Sequence, residues 1–396
     1  NKARLVTTAP RICVRYECVP MRFIKHVYRI HTYAQDGRLF EGKTPVSAFL
    51  NSSYDGSFIA GLMELRYIQS LPVERIINYF ESHGFTLKKP TAHKLMEKAS
   101  SLFENLYKCI RQTALSDPYK AADETYYKIL VPEKNSKGKG VRKGYLWVVV
   151  GINTRMIYLL YDDGSRSEKV ILNELGGCKG IIQSDGYSPY RKLESDAYPH
   201  ITRIPCLQHI KRKFIDCGED EPDAKRIVEL INTLYQNEHK HKIGVDGWTV
   251  EQNLVHRKKY APDILGEIKD VLDDIEERGD LLPKSELKEA VTYLRNEWNA
   301  VVDIFNYGDT YLDNNIVERM NRYISLSRKN SLFFGSHKGA ERGAILYTIA
   351  LTCRMNKVNL FEYLTDVINR TAEWQPNTPL EKYRQLLPDR WEKAND

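Results

Sequence analysis

Residues 117–217 change period so often that they restrict the fold of this chain more than any other stretch. Three runs suit β-strands: KAADETYYKIL (120–130), KGYLWVVVGI (143–152) and RMIYLLYDD (155–163). The Lys/Gly-rich segment EKNSKGKGVRKG makes the loop between the first two. A helix over RSEKVILNEL, a strand over KGIIQSD and a helix opening at Ser188-Pro189 follow. Ser and Pro in that order make a good cap and first-position pair. The stretch closes with the strand ITRIPCLQ and the basic helix HIKRKFIDC.

Three antiparallel strands, then helix-strand-helix-strand-helix, is the order expected of an α/β ribonuclease H-like core, although other α+β proteins could generate it. Residues 1–43 read as a basic, extended N-terminal segment ending in a Gly turn. From 44 to 116 the spacing of apolar residues becomes i, i+3, i+4, the signature of helices. Pro72 and Pro90 suit first-turn positions and Gly84 a C-terminal cap. Two short helices joined around Gly84 suggest a helix-turn-helix-type DNA-binding domain, with residues 88–99 as the recognition element. A plain helical bundle fits the same pattern, and Lys88, Lys89, His93 and Lys94 tilt the reading towards DNA. Residues 117–217 and 301–372 form the two parts of the core in this division. Residues 218–300 are an all-helical insertion, and 373–396 a polar, Pro-containing surface strap.

The totals exclude several classes. A chain of 396 residues with 42% hydrophobic and 28% charged residues is a soluble globular protein rather than a disordered one. The net charge of +7 points mildly to a polyanionic partner and suits a moderately basic enzyme as well. Seven cysteines without a Cys-x-x-Cys pair indicate neither a zinc ribbon nor a disulfide framework, which fits a reducing cytoplasm. The longest apolar run, around YLWVVVGI, is too short to cross a bilayer, and no secretory signal is evident from Asn1 onwards.

The first strand carries two acids where a buried strand normally has Val or Ile. Alternation sends Asp123, Thr125, Tyr127 and Ile129 to one face, and Glu124, Tyr126, Lys128 and Leu130 to the other. A second unusual acid, Asp185, ends the apolar strand of GIIQSDGY, and Gly186 lets the chain turn directly after it. The ordinary fate of such a residue is to cap the following turn. The third is Glu318 in DNNIVERMNR, a helix that Asp313 can cap. Asn314, Glu318, Arg322 and Ser325 share one side there, with Ile316, Val317, Met320 and Ile324 elsewhere. The ordinary reading of Glu318 is a surface pair with Arg322, worth roughly 0.3–0.5 kcal/mol. Taken together, two strand-borne aspartates and one helix-borne glutamate suit phosphodiester chemistry, which needs two divalent ions about 3.5–4 Å apart. Hard cations such as Mg²⁺ take carboxylate oxygens, and clustered carboxylates buried without them repel and titrate upward.

Five motifs in order resemble the DDE transposases of the insertion-sequence-66 family over nearly the whole chain. They are ADET at 122–125 with the strand GYLWVVV, IIQSDGYSPY at 181–190, CLQHIKRKF at 206–214, LLPKSELKEAVTYLRNEW, and the block opening LDNNIVERMNRYISLSRKN at 312; the terminal LLPDRW is similar too. The 133 positions between Asp185 and Glu318 agree with that family's helical insertion. The resemblance implies catalysis by Asp123, Asp185 and Glu318 with two Mg²⁺ ions, Mn²⁺ being able to substitute. Water would cut the element's ends, and the freed 3′-hydroxyls would attack target DNA. His209, Lys211 and Arg212 would lie near the scissile phosphate or order the acids. Arg319, Arg322, Arg328 and Lys329 would hold phosphates. A buried structural role for His209, and a solvated basic face for Arg328 and Lys329, are the bland alternatives. Implied partners are double-stranded DNA (terminal repeats and target), a second copy or more of the chain, and small accessory proteins of the same element. The family's cysteine-rich zinc module has no counterpart in HTYAQDGRLF, and Cys13 and Cys18 lack zinc-finger spacing, so no structural zinc is expected. Two other functions fit the same residues: a catalytically silent, domesticated DNA-binding relative, and a nuclease that only hydrolyses.

Overall fold

The computed structural model describes residues 14–16, 21–43, 45, 47–49, 52–134, 138, 140–279, 281–375 and 377–393. Its centre is a mixed sheet, and the long strand β3 (Tyr119–Leu130) organises it. Earlier in the chain, β1 (Thr32–Gln35) and β2 (Arg38–Glu41) form a separate, fully exposed hairpin turned at Gly37. On one side β3 pairs antiparallel with β4 (Val141–Gly151), from Lys120↔Gly151 to Leu130↔Val141. Beyond β4 lies the antiparallel β5 (Met156–Leu160). On the other side β3 pairs parallel with β6 (Gly180–Ser184), which pairs parallel with β7 (Ile201–Pro205). The order is therefore β5-β4-β3-β6-β7. A two-residue strand that the sequence patterns do not reveal, β8 (Phe333–Phe334), runs parallel to the far end of β3.

β3 has an open interval on the β6 side. Pairing with β6 stops at Ala121 and pairing with β8 begins at Lys128. Unpaired carbonyls on a strand edge must find donors elsewhere. The helix α11 (Asn315–Asn330), with its cap residue Asn314, supplies them: Asn314 Nδ2 donates to the Ala122 carbonyl at 3.0 Å, and Arg328 Nη1 to that of Tyr126 at 2.7 Å. This gap is what brings α11 against the middle of β3.

The first four helices are α1 (Gly56–Met63, continued by a wider π-type turn over Glu64–Ile68), α2 (Val73–Ser82), α3 (Lys89–Leu102) and α4 (Glu104–Ser116). Gly84, with φ of +82°, turns the chain between α2 and α3, and Pro90 occupies the first turn of α3. Pro72 caps α2 rather than entering its first turn. Ala92, Leu95, Met96 and Ala99 are the buried stripe of α3, while Lys88, Lys89, His93 and Lys94 are exposed, Lys89 paired with Glu74. All four helices share one apolar cluster with β3–β5, α5 (Glu168–Leu175), α12 (His337–Met355) and α13 (Leu360–Thr371). α12 also closes the outer edge of β5: Thr348 Oγ1 accepts from the Leu159 N–H, and Thr352 Oγ1 donates to the Ile157 carbonyl.

The C-terminal tail departs from the polar strap that its composition suggests. It forms α14 (Leu380–Arg384), buries Tyr383, Leu386 and Leu387, and Trp391 Nε1 donates to Asp366 Oδ2 at 2.6 Å. Polar residues outnumber apolar ones there, but Trp374, Leu380 and Trp391 also pack, half-buried, against the main apolar cluster.

α6 (Ser188–Arg191), whose Tyr190 joins the same cluster, and α7 (Leu207–Ile215) are followed by α8 (Pro222–Glu238), α9 (Val250–Arg278) and α10 (Glu286–Ile304). These last three make a second apolar cluster with Tyr119, Ile181, Ile204 and Phe214 from the sheet and α7. Among the described residues no helix is long and apolar enough to cross a membrane. Cys13 and Cys18, on which the zinc expectation turned, lie outside the described residues.

Candidate functional site: carboxylates at the end of the central strands

The parallel register of β3 and β6 ends at Ala121↔Gln183. Two residues further, at the same offset, stand Asp123 and Asp185, where the two strands part. Alternation holds on β3 as its pattern predicts: Thr125, Tyr127 and Ile129 are buried, whereas Lys128 and Leu130 are exposed. Asp123 is half-buried on the apolar face. Its Oδ1 accepts the Glu124 N–H at 2.8 Å and its Oδ2 accepts Asn321 Nδ2 at 2.6 Å. Even so, burial first, then repulsion from Glu124 and Asp185, pushes the carboxyl up from 3.8 to about 8.

Asp185 follows the last residue of β6. Its Oδ1 accepts the Tyr187 N–H at 3.1 Å, the local turn that a lone Asp usually makes, leaving the second oxygen outside that bond. Gly186 lies at the bend its position suggests and is also required by a close approach. Its φ is not positive, and a Cβ there would lie 2.5 Å from the Tyr293 hydroxyl of α10. That hydroxyl accepts the Gly186 N–H at 2.8 Å, so the insertion braces the loop that carries Asp185.

Glu318 is in the first turn of α11, with its N–H on the Asn314 carbonyl. Asp313 does not cap the helix as its position suggests; it accepts the Asn315 N–H, and Asn314 is the cap residue. Nor does Glu318 form the surface pair with Arg322. It turns inward, 3.8 Å from His209 Nε2, and its Oε1 is buried without a hydrogen-bond partner among the described residues. Asn321, one turn on, is the residue that reaches Asp123, so one side of α11 carries both Glu318 and the group fixing Asp123. Asn321 and Asn314 escape sequence reasoning because an Asn one turn from an acid has no distinctive pattern; their partners are 198 and 192 positions away.

The other acid of β3 is spoken for. Glu124 accepts Arg166 Nε at 3.0 Å and the Tyr190 hydroxyl at 3.3 Å on the opposite face of the strand. Burial raises its carboxyl and the Arg166 hydrogen bond opposes that rise. Arg166 stacks 4.1 Å over the Tyr187 ring.

Beside Asp185 opens a cleft lined by Arg166, Tyr187, His209, Arg212, Lys213 and Tyr293 among others. The remaining basic residues are distributed less evenly. Lys211 is half-buried, and Arg319, Arg322 and Lys329 are exposed on α11. Arg328 is engaged with β3, bonding Thr125 Oγ1 at 3.2 Å and the Tyr126 carbonyl, with its guanidinium 4.0 Å over the Tyr126 ring. Lys88 is the cap residue of α3, and Lys89 and Lys94 lie on that helix, in the N-terminal half of the chain.

The three acids as a set suit hard divalent cations, although their ligand atoms do not all lie within 4.8 Å of one another, as those of Cys206, His209 and Glu318 do. The set offers carboxylate oxygens, one of them orphaned, and a buried acid held far above its ordinary range for want of positive charge. A pH dependence follows for the metal-free protein. Between pH 4 and about 8 the unfolded chain has released the Asp123 proton while the folded chain retains it. Stability is therefore lost as pH rises through that window. Thermal unfolding in chelator at pH 5 and pH 8 is expected to show this loss, reduced in Asp123→Asn, with Mg²⁺ restoring wild-type stability at pH 8 more than that of the variant. An equal loss in both proteins would rule Asp123 out as its source.

A family model described as "Transposase IS66 family" matches residues 51–342. Among curated proteins, the chain is 25% identical over 346 residues to the uncharacterized protein y4jD of Sinorhizobium fredii (strain NBRC 101917 / NGR234), covering 84% of this chain and 65% of that one. It is 26% identical over 384 residues to y4qI of the same organism, covering 93% and 69%. The chain thus spans about two-thirds of the length of these relatives. Among solved structures, the Drosophila P element transposase strand transfer complex aligns with a TM-score of 0.38 and 13% identity, covering 76% of this chain and 93% of that one.

Proposed function

Because the chain belongs to the IS66 transposase family, we propose that it cuts the ends of an insertion sequence and joins them to target DNA through Asp123, Asp185 and Glu318. The observation that carries this reading is the convergence at the gap in β3. Asp123 and Asp185 share a register where β3 and β6 part, and the helix bearing Glu318 is tied to the same strand through Asn314 and Asn321. The sheet order β5-β4-β3-β6-β7 supports a ribonuclease H-like core.

The three carboxylates would hold two Mg²⁺ ions, or Mn²⁺, whose positive charge would favour the attacking and leaving oxygens of an in-line displacement. The chain's own groups position the parts. Asn321 and the Glu124 N–H fix the Asp123 carboxylate, and the Tyr187 N–H fixes one oxygen of Asp185. His209 orders Glu318 from 3.8 Å. Arg212 and Lys213 in the cleft, with Arg166 at its rim, hold the DNA backbone beside Asp185, as charge rather than base readout. Lys211, Arg319, Arg322 and Lys329 extend that basic surface. Arg328 braces α11 on β3 and reaches phosphate only secondarily. The α2–α3 pair is assigned to DNA docking through Lys88, Lys89 and Lys94, on a helix-turn-helix that shares its core with the sheet. Double-stranded DNA and a second copy of the chain on paired ends are the partners this function calls for, with small accessory proteins of the same element as further candidates.

The test is incubation of the full chain with element-end DNA, target DNA and Mg²⁺. Cleaved ends together with joined products support transposition. Cleavage without joining under matched conditions would reduce the activity to hydrolysis, and binding without either would remove the enzymatic reading.

A further inference from the structure

Glu318 has a second set of neighbours that the two-ion reading does not use. Cys206 is the cap residue of α7, and His209 lies one turn later, so a Cys-x-x-His spacing presents both side chains on one side of the helix start. Candidate ligand atoms of Cys206, His209 and Glu318 all lie within 4.8 Å of one another. A tetrahedral ion with bonds of about 2.0–2.3 Å spaces its ligand atoms roughly 3.3–3.8 Å apart, so modest side-chain rotation closes the set. His209 Nε2 and Glu318 Oε1 already stand at 3.8 Å.

The polar atoms of the cluster are incompletely used. His209 Nδ1 and Glu318 Oε1 are buried without hydrogen-bond partners among the described residues. Cys206 is 1% exposed, and its sulfur accepts the Asn314 N–H at 3.2 Å at the positive end of α7. The Asn314 N–H favours the thiolate, the form that binds metal, whereas burial holds the thiol protonated, so a bound cation has to displace that proton. An ion reaches the site from the open side, because the His209 and Glu318 side chains remain 30% and 31% exposed.

We propose that Cys206, His209 and Glu318 bind a thiophilic divalent cation of the Zn²⁺ class, with water completing the shell. Sulfur, imidazole and a single carboxylate select Zn²⁺ or Co²⁺ over Mg²⁺, which takes oxygen ligands. Binding releases the Cys206 proton to solvent. The consequence for catalysis, which rests on the reading above, is inhibition: the ion withdraws Glu318 from the pair of aspartates.

The probe is Co²⁺ added to the full chain. One equivalent is expected to give a thiolate-to-cobalt charge-transfer band with the visible absorption of a tetrahedral site, both displaced by Zn²⁺. Cys206→Ser is expected to lose the charge-transfer band, and His209→Ala, at a half-exposed position that leaves the fold intact, to weaken binding on the order of 10–100-fold. No thiolate band in the unaltered protein, or unchanged affinity in His209→Ala, overturns the site. Zn²⁺ is then added to Mg²⁺-supported cutting, where Cys206→Ser should relieve its inhibition. Binding without inhibition keeps the site and instead removes Glu318 from the catalytic set.

Discussion

Alanine at Asp123, at Asp185 or at Glu318 is expected to abolish both cutting and joining of element-end DNA, each by on the order of 10³-fold or more. Binding of the same DNA should stay within a few-fold of the unaltered protein, because none of the three supplies positive charge to the phosphates. The acids act as a unit, so pairwise combinations should fall little below the single variants. Gel-shift titration beside a cleavage assay separates the two effects. The three positions need not behave alike in stability. Asp123 is the one held far above its ordinary range by burial, so its removal should stabilise the metal-free fold while destroying activity. A variant that retains cutting removes its residue from the site, and loss of binding in step with activity would point to unfolding or to a role in DNA contact.

Arg203→Ala should produce the largest loss of stability, about 3–5 kcal/mol, lowering the unfolding temperature by on the order of 10 °C. Arg203 on β7 and Glu297 on α10 are paired with both side chains wholly buried. Burial raises the Glu297 carboxyl, and the Arg203 guanidinium is the main group opposing that rise. Removing the arginine leaves an uncompensated carboxylate inside, with Arg191 at 3.9 Å as the nearest substitute. Replacing both partners by apolar residues, as in Arg203→Met with Glu297→Leu, should restore most of the stability. It should not restore cutting fully, because Arg203 Nη1 also donates to the Asp185 carbonyl at 3.3 Å. Thermal unfolding and cleavage rates on the single and double variants measure this. A mild loss in Arg203→Ala would mean that water reaches Glu297, and full recovery of cutting in the double variant would remove Arg203 from the positioning of Asp185.

The strands around Asp123 were legible because a period of two is local: the faces of Asp123 and Glu124 follow from counting along KAADETYYKIL. The end of β6 at Asp185 was equally plain from two isoleucines and a Gly. What the sequence could not reveal depends on contacts far apart in the chain. Asn314 and Asn321 read as ordinary helix residues until α11 is laid in the open interval of β3. Arg328 reads as a free basic residue until its guanidinium is found bonding Tyr126 and stacking on its ring. The bend at Gly186 was legible, but not the Tyr293 ring against it, which arrives from the insertion more than 100 positions later. The tail misled through composition, since Leu386 and Leu387 are two apolar residues in a polar stretch and both are buried.

The most direct measurement is anomalous diffraction from crystals of the protein with element-end DNA and Mn²⁺. Two peaks about 3.5–4 Å apart are expected, bonded between them to the carboxylates of Asp123, Asp185 and Glu318. Peaks that leave any one of these three carboxylates outside the coordination shell, or a single ion held by Cys206, His209 and Glu318 alone while the DNA end is engaged, would contradict the three-carboxylate site.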